Sequence, residues 1–177
     1  MERDQLTLRI RNLQKTYSGN VKAVRGIDVD VENQRIYALL GPNGAGKTTV
    51  LKSILGLVNY SGSVEVLGRP IDEVRERISF VPEEKNLYEN LDIESTLRLS
   101  SRISPRFNEK QARELIENYK LPYRKKIRTF SNGMKTALYL AVALSTDADL
   151  YILDEPTWGL DPIMRDDTLE LIREKVI

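Results

Sequence analysis

Histidine and cysteine are both absent from the 177 residues. Without histidine there is no imidazole acid–base pair and no histidine metal ligand. Without cysteine there are no disulfides and no thiolate metal site, which fits a reducing compartment. Charge of one sign is also lacking: 27 Lys and Arg face 26 Asp and Glu, for a net charge of +1. Such a balance gives no electrostatic footprint for bulk nucleic-acid or membrane binding, so no nucleic-acid partner is expected. No apolar run approaches the roughly 18 residues of a membrane span. The opening Met1-Glu2-Arg3-Asp4-Gln5 is charged and lacks the apolar stretch of a signal peptide. The expectation is a soluble cytoplasmic protein with one domain and a real core.

Periodicity predicts the elements. Leu6-Thr7-Leu8-Arg9-Ile10 and Ile27-Asp28-Val29-Asp30-Val31 alternate as half-buried strands do. Residues 36–40, 63–68 and 78–81 read as further strands, the last stopping at Pro82. From about residue 91 to 144 the texture is helical and charged, with Asn108 as N-cap of a helix over 109–119. Leu150-Tyr151-Ile152-Leu153 is continuously apolar, as expected of a strand buried on both faces. Asp166 or Asp167 is expected to open a last helix toward Ile177. Strands, a helix, a strand, a helical insert, a strand and a helix together imply an α/β core with an inserted helical subdomain.

The chemistry is concentrated in residues 41–48, Gly41-Pro42-Asn43-Gly44-Ala45-Gly46-Lys47-Thr48. This is G-x-x-x-x-G-K-T, set between an apolar run and a helical run over 49–55, which is the context a phosphate-binding loop requires. Glycines let successive N–H groups converge on phosphate oxygens. Lys47 brings a point charge to the β/γ-phosphates, and the Thr48 hydroxyl can reach Mg²⁺. Asp154 and Glu155 end the 150–153 strand. A carboxylate there can hold Mg²⁺, and the next one can polarise an attacking water, so Asp154 is assigned to the metal and Glu155 to the general base. Ser131 precedes an apolar helix and can cap it, offering the helix N-terminus to a phosphate. The Pro- and Gly-rich stretch over 155–162 reads by itself as a turn. Tyr17 could stack on a purine, although most isolated tyrosines serve packing.

These pieces, in this order, resemble the nucleotide-binding subunit of ATP-binding-cassette (ABC) transporters, of an exporter-like, multidrug type, and the resemblance covers essentially the whole chain. Residues 41–48 look like Walker A, with Thr49 beside them, and residues 150–155 like Walker B with its catalytic glutamate. Trp158-Gly159-Leu160-Asp161 is similar to the D-loop. Ser131-Asn132-Gly133-Met134-Lys135 resembles the signature motif, and Tyr17 the aromatic that stacks on adenine. The resemblance implies a P-loop NTPase fold: a RecA-like core with an ABC-type antiparallel β subdomain and an inserted helical subdomain. The core would be 1–82 and 140–177, the helical subdomain 83–139. It implies ATP and Mg²⁺ as ligands and pairing, head to tail, with a second copy or another ABC ATPase. Ser131, Gly133 and Asp161 would then serve ATP held by 41–49 of the opposite subunit. A transmembrane permease would be the partner, at the inner face of the cell membrane, and ATP-driven dimerisation and hydrolysis would power it.

Two departures stand out. Phe80-Val81-Pro82 leads into Glu83 where the family's Q-loop has glutamine. Glutamate can still ligate Mg²⁺, but it adds negative charge beside a triphosphate. The family also places a switch histidine on a strand after the D-loop helix, between the Walker A and Walker B strands. The chain ends at Ile177 and holds no histidine, so it is expected to be C-terminally incomplete, its sheet open at that gap and its turnover weak. A fragment, a natural truncation and a strand supplied in trans all fit such an end; a fragment is favoured. A nucleotide-binding module with little turnover and a soluble, non-transport ABC ATPase are the alternative functions.

Overall fold

The computed structural model describes residues 6–175. The charged opening segment, residues 1–5, and the expected helix end at Ile177 lie outside the described residues. The described chain divides into two compact units, 6–75 and 76–175.

The first unit is built on a three-stranded antiparallel sheet in the order β2-β1-β3. Its strands are β1 (Leu6–Tyr17), β2 (Val21–Glu32) and β3 (Ser61–Val66). The alternation read from the sequence sets the register: Leu8 pairs with Val31 and Val66, and Ile10 with Val29 and Val64. Leu8, Ile10, Leu13, Val64 and Val66 are buried on one face. Helix α1 (Lys47–Ile54) adds Val50 and Ile54 to the buried set, and the short α2 (Ile71–Val74) adds Ile71 and Val74.

Residues 36–40 correct one expectation: they do not form a strand. A strand exists only when a neighbour completes its hydrogen-bond ladder. Among the described residues none runs alongside this segment. Its side chains are correspondingly exposed, Leu40 to 87%.

The second unit joins a two-stranded parallel sheet, β4 (Ile78–Val81) with β5 (Leu150–Leu153), to helices α3 (Ile93–Ile103), α4 (Glu109–Asn118), α5 (Asn132–Leu144) and α6 (Pro162–Glu174). Helix starts follow their caps. The Asp92, Asn108 and Ser131 side chains accept from the backbone N–H of Ser95, Gln111 and Met134. The last helix begins earlier than expected: Asp161 caps it and Pro162 opens it, rather than Asp166 or Asp167. Proline at the first helical position has no N–H to leave unsatisfied, so the Asp161-Pro162 pair outcompetes the later acids.

α5 is the axis of this unit. Leu138, Leu140, Ala141 and Leu144 are fully or almost fully buried, against Ile93 and Leu97 of α3 and Ala112 and Ile116 of α4. The strand ends are stapled. At the start, the Arg77 guanidinium holds both Asp149 carboxylate oxygens at 2.7 Å, keeping that carboxyl below its usual range. At the finish, the Asp154 N–H donates to the Val81 carbonyl at 2.8 Å. β5 is not buried on both faces as its composition predicts. Only Ile152 is buried and its neighbours are half-buried, because a two-stranded sheet covers less of them.

Candidate functional site

The predicted site residues divide between the two units. In the first, residues 41–46 form a turn, with the Ala45 N–H on the Pro42 carbonyl at 3.2 Å, and lead into α1. Gly46 stands at the helix N-cap with φ 93°. A Cβ there would fall 2.3 Å from the Ala23 carbonyl oxygen, so both the backbone angle and the close approach require glycine. No acidic residue occupies the first turn of α1. Its free N–H groups and the helix dipole are therefore available to an anion without competition from a carboxylate of that turn. The Lys47 ammonium is folded back on this loop, donating to the carbonyls of Gly41 at 2.8 Å and Pro42 at 3.0 Å. Thr48 and Thr49 are half-buried behind it.

Tyr17 ends β1 and is 41% exposed. The Lys15 ammonium lies 4.8 Å from its ring centroid, a cation–π contact on one face of the ring.

In the second unit, the parallel pairing of Val81 with Leu153 brings Pro82-Glu83 and Asp154-Glu155 out at the same sheet edge. Asp154 is 7% exposed, and its Oδ2 is buried with no hydrogen-bond partner. A buried carboxylate oxygen without a donor calls for a cation or a water. Oxygen donors of this kind suit Mg²⁺. Among the described residues no three acidic side chains converge to hold a metal by themselves. That too suits Mg²⁺, which takes one or two carboxylates and fills its sphere with phosphate and water. Glu155 turns the chain with φ 48°, a left-handed angle that places its side chain on an exposed, sharp corner.

Composition did not single out Lys85. It is half-buried at this same edge, donating to the carbonyls of Pro82, of Glu83 at 3.0 Å and of Asp154 at 3.5 Å. Burial pushes its ammonium below the usual range, against the attraction of Asp154, Glu83 and Glu155. No local pattern distinguishes such a lysine from a solvated one.

Gly133, at the start of α5, lies against Gly159 in the loop over 157–161, while Ser131 and Asp161 each cap a helix of their own. The Ser131 Oγ accepts from the Met134 N–H at 3.2 Å, and the Asp161 carboxylate accepts from the Met164 N–H at 3.0 Å, so both side chains act as helix caps. Thr136, buried and unremarked in the sequence, donates to the Trp158 carbonyl at 3.1 Å. Lys135 pairs with Glu89 at 2.6 Å. Together with Trp158 they border a groove of ≈ 350 Å³ that also reaches Glu83 and Lys85.

Residues 24–158 match the ABC transporter family model. The chain is 35% identical over 177 residues to the uncharacterized ABC transporter ATP-binding protein YhaQ of Bacillus subtilis (strain 168), covering 96% of this chain and 58% of that protein. It is 39% identical over 168 residues to Nod factor export ATP-binding protein I of Cupriavidus pinatubonensis (strain JMP 134 / LMG 1197), covering 89% of this chain and 51% of that protein. It thus spans little more than half the length of these curated relatives. A solved ATP-binding subunit of an ABC transporter superposes with a TM-score of 0.87 at 29% identity, over 96% of this chain and 75% of that one. A putative ABC transporter ATP-binding protein from Pyrococcus furiosus gives 0.82 at 28% identity, over 96% and 85%. No described helix is long and apolar enough to cross a membrane. With the match over residues 24–158 and relatives at 35–39% identity, the chain belongs to the ABC transporter ATP-binding family.

Proposed function

We propose that this chain binds and hydrolyses ATP as the energising subunit of a membrane transporter. The observation that carries the reading is the residue 41–46 turn feeding α1, with Gly46 obligatory at its N-cap and Lys47 poised on the loop's own carbonyls. On binding, the Lys47 ammonium exchanges the Gly41 and Pro42 carbonyls for β/γ-phosphate oxygens, a stronger, charge-assisted pairing. The backbone of Gly44, Ala45, Gly46, Lys47, Thr48 and Thr49 supplies N–H donors to the same phosphates. Tyr17 stacks on the base with the ring face that Lys15 leaves open.

Asp154, the Thr48 hydroxyl and Glu83 are the groups that would hold Mg²⁺, which neutralises phosphate charge when bound. Glu155 takes the proton of a water attacking the γ-phosphorus as the bond to the ADP oxygen breaks. Ser131, Gly133 and Asp161 present α5 and the 157–161 loop to ATP held by a second ATPase, a homologous copy or a different one, so that nucleotide closes a head-to-tail dimer. The helical segment 83–139 would meet a transmembrane permease at the inner membrane face, the core being 1–82 and 140–177. Support comes from the family membership and from relatives named as export or resistance ATP-binding proteins.

Calorimetry with ATP and Mg²⁺, followed by isolation of the tagged protein from solubilised membranes, tests the reading. ATP binding and one co-purifying membrane protein are expected. Absence of ATP binding would overturn the nucleotide assignment, and recovery without any membrane protein would overturn the transport role.

A further inference from the structure

Because β4 and β5 run parallel and in register, Glu83, Asp154 and Glu155 all follow the strands at the same end of the sheet, without three acidic side chains converging on one point. The Lys85 ammonium is attracted electrostatically by all three, without a direct ion pair to any, and has an acceptor for each of its three N–H groups. Those acceptors are backbone carbonyls, two on the β4 exit and one on the β5 exit. The amine therefore ties the two exits together, while its charge remains available to the carboxylates around it. Asp154 needs that charge most, being buried with an unpartnered Oδ2.

We propose that Lys85 is a positioning residue, a tethered counter-ion that holds the 82–85 turn on the Asp154 turn and offsets the extra negative charge that glutamate at 83 brings to a divalent-cation site. The inference rests on the reading that Asp154 receives that cation. It accounts for a glutamate beside the Asp154 turn: the lysine two residues on returns the local charge to what a neutral residue at 83 would give. Substituting Lys85 alone leaves the three carboxylates unopposed and strengthens their pull on a divalent cation. Substituting Glu83 as well restores the parent's net charge. A lysine that served packing alone would show no such reciprocity.

The test uses Mn²⁺ alone, without nucleotide, with the free ion followed by electron paramagnetic resonance and folding by thermal melting. Parent, Asp154→Asn, Lys85→Gln and Glu83→Gln/Lys85→Gln are compared. Lys85→Gln is expected to bind Mn²⁺ roughly tenfold more tightly than the parent, and the double variant to return to within about twofold of it. Unchanged Mn²⁺ affinity in Lys85→Gln, with Asp154→Asn weakened, overturns the inference alone. A double variant that stays as tight as the single one also overturns it. Equal affinity in Asp154→Asn and parent overturns the metal reading, and the inference with it. If Lys85→Gln fails to fold while the double variant folds, the charge argument is upheld; failure of both assigns Lys85 to packing and overturns it.

Discussion

The carbonyl oxygen of Gly159 lies 2.4 Å from where a Cβ on residue 133 would stand. The start of α5 and the 157–161 loop are therefore in contact backbone to backbone, and Thr136 secures the contact through the Trp158 carbonyl. Gly133→Ala must push the two apart, since neither side of the clash is a flexible side chain. Overpacking of this kind costs about 1–3 kcal/mol. We expect a lower melting temperature and a shifted emission from Trp158, the sole tryptophan, which is 59% exposed on that loop. Unchanged melting and emission would show that the contact yields freely.

Lys47→Ala removes the ammonium that the loop now holds on Gly41 and Pro42. A charge-assisted contact contributes roughly 1.5–3 kcal/mol, or about 10- to 100-fold in affinity. Calorimetry should show that loss for ATP, with the melting temperature of the free protein little changed, because the ammonium's present acceptors are exposed carbonyls that water can satisfy. Equal ATP affinity for variant and parent would contradict the phosphate-loop assignment.

Glu155→Gln keeps the side-chain shape and loses the base. ATP binding should persist, phosphate release should fall, and the ATP-bound dimer should live longer on size-exclusion chromatography. Weakened ATP binding would make Glu155 a binding residue. Glu155→Gly separates backbone from chemistry: it relieves about 1–2 kcal/mol of left-handed strain at φ 48° but adds about 0.4–1 kcal/mol of unfolded-chain entropy, so stability should change by no more than about 1 kcal/mol while turnover is abolished.

Acid should destabilise the second unit in a way traceable to Arg113. Its guanidinium holds Glu94 through two contacts of 2.9 Å and Glu109 at 2.6 Å, and these hydrogen bonds keep both carboxyls below their usual range. Carboxyls with depressed folded values add stability above the unfolded value of about 4.3 and lose it as pH falls through the folded values below that. Arg113→Met should thus melt somewhat lower at pH 7 and decline less steeply between about pH 5 and pH 3. The effect should shrink in high salt, since the partners are partly exposed. Parallel pH curves for variant and parent would show that these pairs are stability-neutral.

Much of the local structure around the candidate site was legible in the chain because its signals are local. The G-x-x-x-x-G-K-T spacing and Asn108 and Ser131 as caps each depend on neighbours within a few residues. The groups that sequence reading missed act across distance. Thr136 meets Trp158 twenty-two positions away, and Lys85 meets Asp154 sixty-nine positions away.

The sequence by itself determined which loop must turn at glycine into a helix, which strand ends in acid, and the family to which the chain belongs, since backbone angles, caps, periodicity and motif spacing are properties of adjacent residues. Tertiary structure decided the rest. Residues 36–40 have the composition of a strand, yet remain unpaired and exposed, because a ladder must be completed by another segment. Lys85 became a bridge through the parallel register of Val81 and Leu153. Hydrogen-bond partners and counter-charges are supplied by whatever the fold brings alongside.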